Sequence, residues 1–150
     1  MAKVIKMETK GFKKLTKKFA KLPLKIQKSV SRSAVTAGAK PVKDAAKSLA
    51  PRRFGYLQED IIHVTKRYGA VYVAIVGINK NIRRQIGQTR DGRPKFANPS
   101  KYHHLVHQGT KRGVKRNRYL RKAIVRAKNR TIAIIRTKYI KRILKEMSKK

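Results

Sequence analysis

A chain of 150 residues with 42 Lys and Arg against 6 Asp and Glu carries a net charge of +36 at pH 7 and reads as a single domain over residues 1–150, large enough to fold without staples. The absence of cysteine excludes disulfides and thiolate metal sites, no run reaches the roughly 18 apolar residues of a membrane span, and Met1 to Lys10 lacks the apolar core of a secretion signal, so a cytoplasm-like compartment or the inside of a particle is expected. Self-repulsion at this charge calls for a counter-charge, and because the cations are spread over the whole chain they point to a folded body with a positive surface rather than to a basic tail.

In chain order, residues 1–10 form a polar, flexible lead-in. Phe12, Leu15, Phe19 and Leu22 recur at helical spacing opposite Lys13, Lys14, Lys17 and Lys18, which predicts a short amphipathic helix ended by Pro23. Leu24 to Leu49 repeats the pattern through Ile26, Val30, Ala34, Ala37, Ala45 and Leu49, with a kink or break expected near Lys40 because Gly38 and Pro41 lie inside it. Its small residues would let it lie close to a sheet, and Ala50-Pro51 stops it. After a loop from Pro51 to Glu59, Asp60 to Arg67 alternates as a strand. A Tyr68-Gly69 turn then leads into Ala70 to Ile78, nine residues without a charge and rich in β-branched side chains. Both faces of that stretch are apolar, so an antiparallel hairpin whose second strand is covered on both sides is expected.

Asn79 to Ser100 shows little periodicity and contains Gly87, Asp91-Gly92, Pro94 and Pro99, which predicts a long loop. Its Lys80, Arg83, Arg84, Arg90, Arg93 and Lys95 make it a basic arm expected to order only against a neighbour. A short strand or helical turn is expected over 101–107, with the strand taken as the third of a small sheet, and Gly109 is expected to need a backbone conformation closed to residues with side chains. Lys111 to Arg118 is the densest basic block, with Lys111, Arg112, Lys115, Arg116 and Arg118 in eight residues. Arg118 to Lys149 then carries a long helical stripe through Leu120, Ile124, Ala127, Thr131, Ile135, Tyr139, Ile143 and Met147. The order predicts an α+β fold: a small antiparallel sheet, the 60–78 hairpin plus a short strand near 101–107, packed by N-terminal helices and a long C-terminal helix.

The chemistry of catalysis is sparse. Of the acids Glu8, Asp44, Glu59, Asp60, Asp91 and Glu146, only Glu59 and Asp60 are close in sequence, and strand neighbours point to opposite faces, which argues against paired-carboxylate or Mg²⁺-dependent hydrolysis. His103 and His107 would share a helical face beside His104, but no carboxylate or cysteine completes a metal set nearby, so a structural or subunit-contact role is expected. Neither a Gly-x-Ser-x-Gly elbow nor a phosphate-cradling glycine loop occurs. The expectation is a protein that is not an enzyme and needs no cofactor. Contact with nucleic acid would be salt-dependent and directed at the backbone, since aromatics for base stacking are few.

Three stretches carry a resemblance. Ala50-Pro51-Arg52-Arg53-Phe54-Gly55-Tyr56-Leu57 is similar to an Ala-Pro-x-x-Thr-Gly-x-Leu signature that follows a long helix. Tyr102 to Thr110 is similar to Tyr-x-x-x-Val-Glu-Phe-Gly-Thr, and Tyr119-Leu120-Arg121-Lys122-Ala123 to the Pro-Phe-Leu-Arg-x-Ala that opens a C-terminal helix. In this order, together with Ala39 to Val42, they resemble the tail-completion (neck, head–tail joining) proteins of tailed bacteriophages, over roughly Phe12 to Lys145. Phe54 replaces the family's Thr, and His107-Gln108 replaces its Glu-Phe, which removes an acid from the ring contact.

The resemblance implies a structural virion protein, present in the host cytoplasm during assembly. It implies a homo-oligomeric ring of six copies first and twelve second, joining head to tail around a channel of double-stranded DNA. Its partners would be other neck, connector or tail-terminator proteins, with no membrane. Under it, Pro51, Gly55, Leu57, Tyr102, His107, Gly109, Thr110 and Leu120 are candidates for the subunit interface, and the arm and block cations for contact with DNA or an acidic partner. The alternative is a sequence-nonspecific nucleic-acid binder, ribosome-associated or DNA-condensing, which would bind tightly as a monomer. An enzyme would lose activity on one His or acid substitution, and a membrane-active protein would use its C-terminal helix as an amphipathic anchor.

Overall fold

The computed structural model describes residues 17, 20, 23–52, 55–111 and 113–148; the expected lead-in and most of the first amphipathic helix lie outside them. Between residues 23 and 148 the described elements follow in the order α1 (Leu24–Leu49), α2 (Tyr56–Glu59), β1 (Ile61–Tyr68), β2 (Val71–Ile78), β3 (Arg84–Gln88), β4 (Pro94–Ala97), α3 (Pro99–Gln108) and α4 (Tyr119–Met147). The class is α+β, as the order of patterns predicts, but the sheets are two separate antiparallel pairs, β1–β2 and β3–β4.

α1 runs for 26 residues through Gly38 and Pro41, so of the kink or break expected near Lys40 the break does not occur. Packing overrides local propensity here: Val30, Ala34, Gly38, Ala39 and Pro41 are buried, and α4 lies against them. A Cβ built on Gly38 would sit 2.4 Å from Ile135 Cγ1, so the glycine is what lets the two long helices approach. Ala50, extended at ψ 141°, ends α1 as a residue before proline should. The following segment, expected as loop only, contains one helical turn, α2.

β1 and β2 pair in register from Ile61 with Ile78 to Tyr68 with Val71. The face bearing Ile61, Thr65, Val76 and Ile78 turns to α1: Thr65 Oγ1 and Thr36 Oγ1 share a 2.8 Å hydrogen bond, and Val76 and Ile78 pack on the core. That core gathers Ala46, Ala50, Leu57, Ile61, Tyr119 and Ala123, with Tyr102, Val106 and Leu120 against it.

Two expectations fail on local chemistry that periodicity does not register. Residues 79–100 are not a loop: Thr89 to Arg93 closes a turn, with Thr89 N–H donating to the Arg93 carbonyl at 2.8 Å and Gly92 N–H to the Thr89 carbonyl at 3.0 Å, and β3 and β4 pair across it with a bulge between Gln85 and Gly87. Of the two forms expected over 101–107, the strand fails and the helical one holds, since these residues lie inside α3. Asn98 caps that helix, its Oδ1 accepting from Ser100 N–H at 3.0 Å and from the Ser100 hydroxyl at 2.6 Å, and buried Pro99 takes the first position, where a missing N–H costs nothing. α4 is continuous through Asn129-Arg130-Thr131, but its buried stripe is narrower than its apolar pattern, since Ile124 and Leu144 are exposed.

Candidate functional site

The β1–β2 hairpin presents two unlike faces. In the observed register Val64 faces Ile75, Lys66 faces Val73 and Tyr68 faces Val71, and these six residues share the face turned away from α1. Val71 is 61% and Ile75 45% exposed, with Val64, Tyr68 and Val73 also open to solvent. The expected cover on both sides of β2 is therefore present on one side only. The cause is topological: α1 packs on the inner face, α4 packs on α1, and β3–β4 forms its own sheet instead of extending the first. Lys66 is the only charge on this face, in a chain where 32% of residues are charged. Contiguous exposed apolar surface of this kind marks an interaction site more often than scattered exposed residues do.

The β3–β4 arm is tied to the body by one ion cluster. Arg84 Nη2 donates to Asp60 Oδ1 at 2.7 Å and Nε to the same oxygen at 3.2 Å, while Nη1 reaches Glu59 Oε2 at 2.9 Å. Asp60 is fully buried, and the hydrogen bond to it, together with the charges of both acids, holds the guanidinium's pKa above its ordinary value against the opposing effect of burial. The guanidinium also lies 5.9 Å from the Tyr56 ring centre. Of the arm cations singled out by sequence, Arg84 is thus engaged within the chain, whereas Lys80, Arg83, Arg90, Arg93 and Lys95 are exposed. In the basic block, Lys111, Lys115 and Arg116 are exposed, Arg118 is partly buried at the start of α4, and Arg112 lies outside the described residues.

The three motif stretches converge in space. Pro51, Gly55, Leu57, Tyr102 and Val106 line a largely apolar cleft of about 910 Å³, closed on the far side by Ile86 and Ala97 of the arm and by Val114 to Asn117. Leu57 is buried in the core, and Leu120 and Tyr102 pack on it, so these candidates build the cleft wall and the fold beneath it. Gly109 ends α3 at φ +82°, and a Cβ there would lie 3.0 Å from the Val114 carbonyl oxygen, which bears out the expected backbone requirement. Beside it, Thr110 N–H donates to that same Val114 carbonyl at 3.1 Å. His107, which stands where the resemblance expects an acid, turns onto Tyr119, the two rings meeting edge-on at 5.6 Å. Burial, and then the charges of His103 and Arg116, lower the His107 pKa below its ordinary 6.5. Burial, with a smaller effect from Tyr102, pushes the Tyr119 phenol up to about 12. His103 is held by its own helix, with Nδ1 donating to the Ser100 carbonyl at 2.9 Å. Among the described residues no three imidazoles or carboxylates gather as a metal site would require, and no helix is long and apolar enough to cross a membrane.

Sequence reasoning passed over one surface. Lys28, Arg32 and Lys40 of α1 and Lys138 of α4 line a second cleft, of about 670 Å³, together with His63 and Tyr72 of the hairpin. The spacing of the α1 members was open to inspection, since positions 28, 32 and 40 fall on one helical face, but the opposite wall comes from chain far away in sequence.

Fold and surfaces together define a small, strongly basic α+β protein with an uncovered apolar sheet face. Residues 13–109 match the family model described as "Bacteriophage HK97-gp10, putative tail-component". The match spans well over half of the chain, and the chain belongs to this family of phage tail components, structural proteins that meet other proteins of the virion. No curated protein and no solved structure matches it.

Proposed function

We propose that copies of this chain close into a ring at the junction of head and tail of a phage, joining the two around the DNA channel and performing no catalysis. The observation that carries this reading is the uncovered apolar outer face of β1–β2, in a family of tail components. A lone copy leaves Val64, Val71, Val73 and Ile75 in water, and a neighbouring subunit is the cover that is always at hand in an assembly of identical chains. The face also suits a partner of like charge: it holds one lysine, so a second copy meets less repulsion here than on the lysine- and arginine-bearing surfaces elsewhere. A contact between different surfaces of neighbouring copies closes a ring, with six copies the first expectation and twelve the second.

The test has two parts. Sedimentation of the purified chain should show a closed oligomer that Val73→Glu reduces to a folded monomer. A phage lacking the gene should leave DNA-filled heads beside unattached tails, restored by the wild-type chain and not by Val73→Glu. Intact infectious particles without the gene, or a monomer at all concentrations, would reject the ring at the junction. Tight, salt-dependent DNA binding by that monomer would favour a free nucleic-acid binder instead.

A further inference from the structure

We propose that the cleft between α1, the inner face of β1–β2 and α4 is a binding site for the phosphodiester backbone of nucleic acid. Lys28, Arg32, Lys40 and Lys138 stand around a concavity of about 670 Å³, and no carboxylate lines it among the described residues. Three of the four cations follow one another at intervals of four and eight along α1, so they form a line, as the phosphates of a strand do. Like charges one turn apart oppose helix formation, and a bound polyanion removes that opposition. The residues between them are small: Ser29, Ser33 and Ala37 make a shallow floor, which brings a ligand close to the helix and offers hydroxyls to phosphate oxygens. Arg32 supplies a planar fork suited to two phosphate oxygens, and His63 and Tyr72 add polar groups from the far wall.

A phosphodiester fits this set better than an acidic peptide. Three of the donors follow one another along about 18 Å of helix, which suits the repeated, fully ionised phosphates of a strand. No row of aromatics is present for base stacking, so the site would read charge and spacing without sequence. The cleft lies on the side of the hairpin opposite its apolar outer face, so subunit contact and backbone contact would not compete for the same residues. That the natural ligand is channel DNA rests on the ring reading above; the binding site itself does not.

The experiment compares two variants of the full chain that lose equal charge. One carries Arg32→Gln, Lys40→Gln and Lys138→Gln in the cleft; the other carries Lys101→Gln, Arg121→Gln and Lys122→Gln, exposed cations outside it. All six side chains are exposed, and thermal melts should leave both variants folded. Binding of a 20-base-pair duplex is read by fluorescence anisotropy across a salt series. Each phosphate contact contributes a slope of about 0.9 in log affinity against log salt. The cleft variant should lose about 2 to 3 from the slope and at least about tenfold in affinity, and the control less than about a third of either change. Equal losses in the two variants would overturn the site in favour of diffuse attraction. Poly-glutamate bound as tightly as DNA at equal charge, with the same loss in the cleft variant, would overturn the phosphate assignment in favour of an acidic protein partner. Because the readout is duplex binding rather than oligomer mass, failure of the cleft leaves the ring standing, and failure of the ring leaves the cleft standing.

Discussion

The β1–β2 hairpin divides its apolar residues between two faces: Ile61, Val76 and Ile78 pack inward at one end, and a longer strip stays outside. The face against α1 includes His63, Thr65 and Ala74, small or polar groups, two of which hydrogen-bond or line a polar cleft. The face toward solvent carries Val64, Val71, Val73, Ile75 and Tyr68, with one lysine among them. Burying apolar area is worth about 25 cal/mol per Å², so a chain that keeps its most continuous apolar strip outside forgoes stability that a partner could supply. One pair of strands thus has two unlike faces: the inner one holds the monomer together, and the outer one is the surface on which the proposed ring would rest.

The comparison is broken most directly by a matched pair of isoleucines. Ile61 is 1% exposed on the inner face, and Ile61→Ala should cost about 2 to 5 kcal/mol in urea unfolding of the monomer. Ile75→Ala, on the outer face, should change monomer stability by only about 0.5 kcal/mol while weakening self-association seen by sedimentation. Equal losses of monomer stability would mean that the two faces share one task. The next effect concerns the seam along which α4 packs on α1. Gly38→Val places a branched side chain where even a Cβ meets Ile135, and should lower stability by about 1 to 3 kcal/mol in the same assay, leaving the outer face chemically untouched.

The smallest effect is one of pH and lies away from the hairpin, beneath the apolar cleft. His107 has its pKa held below 6.5 in the folded chain, so the unfolded chain binds its proton more readily. Its contribution to stability is complete above that pH and is lost as pH falls toward the folded-state pKa. Thermal melts between about pH 7 and pH 5 should therefore fall less steeply for His107→Gln than for the wild-type chain, by at most one proton's worth of slope. An unchanged slope would show that His107 takes up its proton equally in both states.

Much of the architecture was legible because it rests on periodicity. The α1 and α4 stripes, the hairpin, and the stop at Ala50-Pro51 follow from apolar spacing and from proline and glycine chemistry, although the hairpin's turn is Gly69-Ala70 and not Tyr68-Gly69, since Tyr68 ends β1 opposite Val71. The loop expected at the arm and the strand expected at α3 fail for a common reason, since each element is started or closed by a few polar contacts and not by an apolar pattern. Thr89 and Gly92 close the arm's turn, Arg84 pins it to buried Asp60, and Asn98-Pro99-Ser100 starts a helix that sets only Tyr102 and Val106 against the core. The Asp91-Gly92 pair and the Asn-Pro start were signals in plain view, outweighed by the scarcity of apolar residues around them. Of the motif residues named for a subunit interface, Pro51, Gly55, Leu57 and Tyr102 line one cleft, a convergence that no spacing along the chain announces.

By itself, then, the sequence determined the charge of the protein, its α+β class, the existence of the hairpin and the absence of thiol chemistry, because composition and local periodicity act wherever the chain goes. Only the tertiary structure decided which side of the hairpin α1 would cover, and which cations would face one another across a cleft. Those outcomes depend on the close approach of α1 and α4 at Gly38 and on the pairing of β3 with β4 instead of with the first sheet, contacts between residues far apart in sequence.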